Sequence, residues 1–357
     1  MRNQIPDLTY GVTKAYALKG HLLEPAILEG LAESKGLEDL IVRLRATVYG
    51  EAVTKVEIPY SAHGLELAFR GHLASIHRSL LRVAPTWEFL NAYYLHYIAT
   101  NLKAVLKGKA LGKSFESISS YIDLQAEELV GRRDVVVRAL SAGSLEESVN
   151  LLSTTEFGDE VNGAAKAYRE TGDARVFDLY LDGAFYKNLV AAFLRLQGRL
   201  GTSTEAEDMR LILSAEIDSY NVIATLRAKL WDLAPSATKS LLVRPFFAVS
   251  QRHLLRMLES DSIGDALRIL EVTGYRRLLP EATGDSDSIA HLEDSFGLLV
   301  YSRAQKAFTW NAYGVGTTLA LIKLKELEVK NLSTVAFGVE QNLGSTRILP
   351  KLVLLKR

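Results

Sequence analysis

"LEDLIVRLRATVY", residues 37–49, is one of three versions of a single pattern, and its recurrence decides the fold. The other two are "LEESVNLLSTTEF" at 145–157 and "IGDALRILEVTGY" at 263–275. Aligned on Thr47, Thr155 and Thr273, each carries aliphatic residues ten, six and three positions earlier. These are Leu37, Ile41 and Leu44, then Leu145, Val149 and Leu152, then Ile263, Leu267 and Leu270. Steps of three and four place such side chains on one helical face. An aromatic residue follows two positions after each threonine: Tyr49, Phe157, Tyr275. The threonines lie 108 and 118 residues apart, so three units of similar size follow one another.

A second landmark recurs in the same order. "NLKAVLKG" starts at Asn101, "NVIATLRA" at Asn221 and "NLSTVAFG" at Asn331. A small residue stands three positions on (Ala104, Ala224, Thr334) and another seven on (Gly108, Ala228, Gly338). These positions share a helical face on which a neighbouring helix can approach closely. The asparagine amide at such a seam requires hydrogen-bond partners and is expected to tie helices together. Lys109, beside the seam, is expected to be indifferent to substitution.

The stretch after the first seam, "GKALGKS" at 108–114, imitates a phosphate-binding loop but has three residues between its glycines where the loop needs four. No strand pattern precedes it. The corresponding stretches after Ala228 and Gly338 run "KLWDLAPS" and "VEQNLGS", each ending in Leu, then Gly or Ala, then a serine nearby. All three are read as joints between helices, with a glycine suited to the left-handed position after a helix and a serine suited to capping the next. Lys113 is then a solvated lysine, with no nucleotide to bind.

Composition sets the limits around these repeats. The chain has 357 residues, 48% hydrophobic and 24% charged, with Lys plus Arg and Asp plus Glu both at 42. A balanced charge gives no global attraction for nucleic acid or anionic lipid. With no cysteine, disulfides, thiolate metal sites and cysteine nucleophiles are excluded. No apolar run reaches the length of a membrane span and the N-terminus lacks a signal-peptide core, so a cytoplasmic location is expected. The seven histidines, among them His72 and His77, lack the spacing of a helical zinc pair. No cofactor and no metal is expected. Strand alternation is hard to find, and the fold class is all-α: three tandem helical repeats spanning 1–112, 113–236 and 237–357.

"LKELEVKNLSTVAFG" at 324–338, "EIDSYNVIATLRAKL" at 216–230, "FDLYLDGAFYKNLV" at 177–190 and "YGVTKAYALKGHLL" near the start resemble the C-type subunit of archaeal-type and vacuolar-type rotary ATPases, the d-type subunit of eukaryotic vacuolar enzymes. The resemblance runs the length of the chain. It implies a funnel of three similar helical domains about a pseudo-threefold axis, and a non-catalytic central-rotor subunit of an A-type or V-type ATP synthase. Such a subunit is a socket between the central stalk (D and F type subunits) and the membrane rotor ring, and transmits torque during ATP synthesis or ion pumping. It lies on the cytoplasmic face of the cell membrane as a peripheral protein and touches the membrane only through the ring. The competing reading from the repeats alone is a generic all-α scaffold outside any rotary complex.

The most specific part of the resemblance is an acidic, acidic, Asn pattern carried by Glu216, Asp218 and Asn221 and by Glu326, Glu328 and Asn331. The first repeat has His96 and Ile98 at the acidic positions. These four carboxylates either hold helices together or contact a basic partner, and the structural option is favoured because acids early in a helix also gain from its dipole. Between 111 and 238 the chain carries 20 acidic and 13 basic residues, an asymmetry that a partner docking in one orientation could read.

Overall fold

The computed structural model describes residues 5–83, 87–200, 206–281, 284–310 and 314–354. Among these residues the protein is all-α, with nineteen α-helices and no strand. In chain order they are α1 (Ile5–Lys19), α2 (Pro25–Ala32), α3 (Leu37–Leu44), α4 (Gly50–Thr54), α5 (Ala62–Leu81), α6 (Trp87–Ala110) and α7 (Phe115–Ser119). Then come α8 (Gln125–Val130), α9 (Arg133–Ser141), α10 (Leu145–Leu152), α11 (Gly158–Thr171), α12 (Val176–Leu200) and α13 (Glu207–Leu230). The last are α14 (Pro235–Leu241), α15 (Gln251–Glu259), α16 (Ile263–Arg268), α17 (Asp285–Trp310), α18 (Gly316–Glu340) and α19 (Ser345–Ile348).

The order follows the sequence repeats. Asn101, Asn221 and Asn331 lie on the long helices α6, α13 and α18, and each is followed by a short helix, α7, α14 or α19. The threonine motifs end the short helices α3 and α10 and the 3-10 turn after α16. Serine starts several of these elements: Ser61, Ser144 and Ser262 each accept the main-chain N–H three residues on, heading α5, α10 and α16.

The chain divides into two compact units, one of Met1–Trp87, Ser203–Met209 and Tyr301–Arg357, the other of Glu88–Thr202 and Arg210–Val300. These units cut across the consecutive segments 1–112, 113–236 and 237–357. In the first unit α18 packs most extensively on α5 and also touches α1, α2 and α3, so the two ends of the chain share one core. Leu40, Ile41, Leu44 and Phe69 from the N-terminal side meet Leu332 and Val335 from α18 there. In the second unit a core around Val222, Leu226, Leu254, Leu270, Tyr275 and Phe296 gathers α13, α15, α17 and the α16 region.

Candidate functional site

The helix joints reveal what the apparent phosphate loop is. Lys113, Leu233 and Leu343 each donate their N–H to the carbonyl five residues back, on Gly108, Ala228 and Gly338, all at 2.9 Å. Gly112, Asp232 and Asn342 donate to the carbonyls of Lys109, Lys229 and Val339 and hold the left-handed position, with φ of 65°, 52° and 54°. Each long helix therefore ends in the same six-residue hydrogen-bonded cap. The N–H groups of Gly112 and Lys113 are spent on helix carbonyls and form no cradle for a phosphate.

Two details of the expected joints change. The left-handed residues of the second and third joints are Asp232 and Asn342, since asparagine and aspartate tolerate that conformation, and they precede Ala234 and Gly344 by two positions. Serine caps only the first of the following helices, where Ser114 accepts from the Ser117 N–H at 3.2 Å. α14 begins with Pro235 after Ala234, and α19 follows Gly344.

The small residues of the seam face the returning short helix. A Cβ on Gly108 would meet Cγ1 of Ile118 at 2.5 Å, and one on Gly338 would meet Cγ1 of Ile348 at 2.7 Å. The middle repeat has a larger residue, Ala228, and a smaller one ten positions on, the buried Thr238. We expect Gly108→Ala and Gly338→Ala to destabilise by about 1–2 kcal/mol in urea unfolding. Overpacking costs about 1–3 kcal/mol, offset in part by the better helix propensity of alanine. Adding Ile118→Thr to Gly108→Ala reproduces the middle repeat and should restore most of the loss. Lys109 is not the neutral neighbour expected from its position, because its Nζ donates to the Ala142 carbonyl just past α9. Lys229 does the same for Ser260 after α15. A lysine there satisfies the carbonyl end of a helix and its dipole.

Each asparagine makes the same bridge. The Asn221 amide donates to the Val243 carbonyl at 2.9 Å and its Oδ1 accepts the Val243 N–H at 2.8 Å. Asn331 makes both bonds to Val353 at 2.9 Å, and Asn101 makes them to Asp123 at 2.6 and 3.3 Å. In all three the partner stands 22 positions on, in a non-helical segment. The asparagines thus tie a helix to non-helical chain, rather than helix to helix as expected. An amide side chain offers both a donor and an acceptor, which an isolated main-chain residue needs when no strand lies beside it.

The threonines are hooks. Thr47, Thr155 and Thr273 donate their hydroxyls to the carbonyls of Leu44, Leu152 and Leu270 at 2.7, 2.6 and 2.7 Å. The same oxygens accept the N–H of Tyr49, Phe157 and Tyr275 at 3.2, 3.3 and 3.2 Å. The hook turns the aromatic ring inward, and all three rings are buried.

What the rings meet differs by repeat. Tyr49 donates its hydroxyl to Oε1 of Glu328 at 2.7 Å, and Lys325 Nζ donates to the same oxygen at 2.6 Å. The Leu23 main-chain N–H donates to Oε2. Lys325 is 1% exposed and Glu328 4%, so this is an ion pair inside the unit. His72 packs beside Tyr49, and burial followed by the nearby Lys325 charge pushes its imidazole down to about 4. In the second hub Tyr275 donates to Oδ2 of Asp218 at 2.8 Å, joined by the N–H groups of Ala248 at 2.8 Å and Val249 at 3.4 Å. Ala215 stands at the position of Lys325, and burial raises the Asp218 carboxyl against the pull of those donors. In the first repeat the corresponding residues are Leu95, Ile98 and Phe157, all buried. At the corresponding sequence positions an acid goes with tyrosine and an aliphatic residue with phenylalanine.

Asp218 and Glu328 are therefore engaged within their own units. Glu326 accepts from Lys323 at 3.1 Å and is partly exposed, and Glu216 is largely buried. Lys325 was missed in the sequence because it reads as one of two lysines in "ALIKLKELEV", although a lysine in so apolar a run is itself a sign of a buried pair.

Glu127 was also missed. It is fully buried, and its Oε1 accepts a 2.5 Å hydrogen bond from the Asn101 amide while Oε2 has no partner. Burial raises its carboxyl to about 7, opposed by the Asn101 bond and reinforced by Asp123 and Glu128. A folded-state value above the ordinary one means that the folded chain holds a proton the unfolded chain has released. Stability should fall as pH rises from about 4.5 to 7 by up to about 3 kcal/mol. Glu127→Gln should flatten that slope in denaturation curves taken across the window.

Among the described residues no group of three or more His, Asp and Glu side chains is placed to hold a metal ion. One open cleft of about 500 Å³ in the first unit is lined mainly by apolar side chains, with Lys19, Glu328 and Asn331 among its polar groups. The cap, the bridge and the hook each recur three times in an all-α chain, and these features are architectural. The chain belongs to the ATP synthase (C/AC39) subunit family, whose model matches residues 12–350. It is 26% identical over 346 residues to the C subunit of the A-type ATP synthase of Methanocaldococcus jannaschii, covering 94% of this chain and 83% of that one. The corresponding A-type ATP synthase chain of Haloferax volcanii is 28% identical over 300 residues, covering 82% and 81%. That of Methanothermobacter thermautotrophicus is 24% identical over 341 residues, covering 92% and 82%.

Proposed function

We propose that this chain is a non-catalytic central-rotor subunit of an A-type ATP synthase, a socket that couples the central stalk to the membrane rotor ring and transmits torque. The observation that carries the reading is a family match spanning residues 12–350, together with relatives named as the C subunit of A-type ATP synthases and matched over most of their length. The stitches support it physically. A part that transmits torque must not shear internally, and each long helix is fixed by a main-chain bridge, a helix cap and a buried hub. In this reading the segments 1–112, 113–236 and 237–357 are three copies of one helical design forming a funnel with pseudo-threefold symmetry. The partners are the D and F type stalk subunits and the ring. The protein sits on the cytoplasmic face of the membrane, attached through the ring, in keeping with the lack of any described helix long and apolar enough to cross a bilayer. Of the four carboxylates considered for a basic partner, Asp218 and Glu328 are committed to internal hydrogen bonds, Glu326 accepts from Lys323 and Glu216 is largely buried.

The test is to tag the full chain in its native host and purify it from detergent-solubilised membranes. Stalk subunits and the ring should come with it, and all should separate when the rotor is dissociated. A chain that purifies alone, or with helical partners unrelated to an ATP synthase, would favour the general scaffold reading. Saturable micromolar ATP binding by the purified chain, lost in Lys113→Ala, would overturn the non-catalytic assignment.

A further inference from the structure

The cleft of the first unit lies beside α18, at a place that the chain itself closes beside α13. After Val243, held by Asn221, residues 244–248 run directly to Val249, whose N–H reaches Asp218. At α18 the counterparts are Val353, held by Asn331, and Leu23, whose N–H reaches Glu328. The registers agree, since Val249 and Leu23 stand 24 positions before Thr273 and Thr47. Here, however, the two anchors come from opposite ends of the sequence. The chain enters Leu23 from α1 through residues 20–22, with no direct connection from Val353.

The cleft is framed by these same anchors. Glu328, Asn331, Val353, Leu23 and Leu28 line it, and they correspond to Asp218, Asn221, Val243, Val249 and Leu254. Beside α13 the connection carries Phe246, which packs on a core that includes Val249 and Leu254. Val243, Val249 and Leu254 are 0% exposed there. Beside α18, Val353 and Leu23 stay partly exposed, and about 500 Å³ of open space adjoins them. The place beside α6 is also occupied by chain, with α8 bringing the buried Glu127 against Asn101.

We propose that this cleft is a docking groove for an extended apolar segment of a partner protein, bearing an aromatic side chain in the place that Phe246 fills beside α13. Leu22, Leu324, Leu327 and Leu354 complete an aliphatic lining. An aromatic ring covers such a lining with a large apolar area at little cost in side-chain entropy. A peptide fits better than an acyl chain, because the wall carries an acceptor for main-chain N–H. Oδ2 of Asp218 accepts from both Ala248 and Val249, whereas the N–H described on Oε2 of Glu328 is that of Leu23. The Leu22 N–H, the counterpart of Ala248, is spent on the Lys19 carbonyl at 3.1 Å. A donated segment supplies the missing N–H and covers the exposed anchors, a mode of recognition in which main-chain bonds give affinity and side-chain pockets give specificity. The groove rests on the geometry of the first unit and not on the rotary reading.

The probe is a capped peptide of sequence VRPFFAV, residues 243–249 of this chain, added to the full-length protein with labelled leucine and valine methyl groups. Methyl signals of Leu22, Leu28, Leu327 and Val353 should shift saturably, with a Kd of about 1 mM or tighter, while those of Val249 and Leu254 stay in place. The peptide VRPAAAV should bind about tenfold more weakly or worse. Val353→Trp keeps the main-chain bridge to Asn331 but fills the groove, and should weaken VRPFFAV by a similar factor. If that variant does not fold, Leu22→Lys at the partly exposed edge makes the same measurement. No saturable shift up to about 5 mM, or equal binding of the two peptides, would overturn the proposal. Equal displacement by decanoate would assign the groove to acyl chains and overturn it too. So would binding that appears only after removal of residues 355–357, which would give the groove to the chain's own end.

Discussion

Lys325→Met is expected to lower the stability of the first unit by about 3–5 kcal/mol, because it removes one member of a buried ion pair and leaves the other. Methionine fills nearly the same space, so the loss reports charge rather than a cavity. Glu328 keeps the Tyr49 hydroxyl and the Leu23 N–H, but nothing positive remains among the hydrogen-bond partners described for it. The double change Lys325→Met with Glu328→Gln should recover at least half of the loss. Glutamine still offers an acceptor to Tyr49 and Leu23, and it needs no counter-ion. Urea denaturation of the full chain, with hydrogen exchange in α5 and α18 to locate the effect, makes the measurement. A loss below about 1 kcal/mol, the range of exposed pairs, would mean that water reaches the hub.

Asn221→Ala should cost about 2–5 kcal/mol, since it strands both the N–H and the C=O of Val243, at about 1–3 kcal/mol for each buried unsatisfied group. Asn221 and Val243 are both 0% exposed, so no water can take the place of the amide. The same change at Asn331 should cost less, because Val353 is only partly buried and solvent can satisfy its main chain. Asn101→Ala has a further consequence, as it also removes the hydrogen bond to Oε1 of Glu127, whose Oε2 has no partner. Melting curves of the three variants should therefore rank Asn221 above Asn331. A reversed order would show that the bridges work through helix packing and not through main-chain satisfaction.

Much of the architecture was legible in the sequence because it is written at short, fixed spacings. The aliphatic steps before Thr47, Thr155 and Thr273 gave the helices, the aromatic two positions on gave the buried ring, and the small residues seven after each asparagine marked the seam. The false phosphate loop was legible too, since its spacing was wrong, no strand pattern preceded it and similar joints recurred after the other two seams. Where the sequence reading erred, a second partner was needed to decide. Which residue ends a helix in the left-handed conformation depends on the cap hydrogen bonds, and those select Asp232 and Asn342. Whether Lys109 is idle depends on where α9 ends.

Periodicity states which face of a helix is buried and is silent on what buries it. The sequence by itself determined an all-α chain in which one residue pattern recurs three times, and the family to which it belongs. Only the tertiary structure decided that Asn221 reaches Val243, that Glu127 and Lys325 are buried, and that the threonine segment at the start of the chain completes the helix near its end. The physical reason is that a helix is specified by contacts three and four residues apart. Its partner is specified by chain closure and by the matching of buried polar groups across hundreds of residues, as with Tyr49 and Glu328.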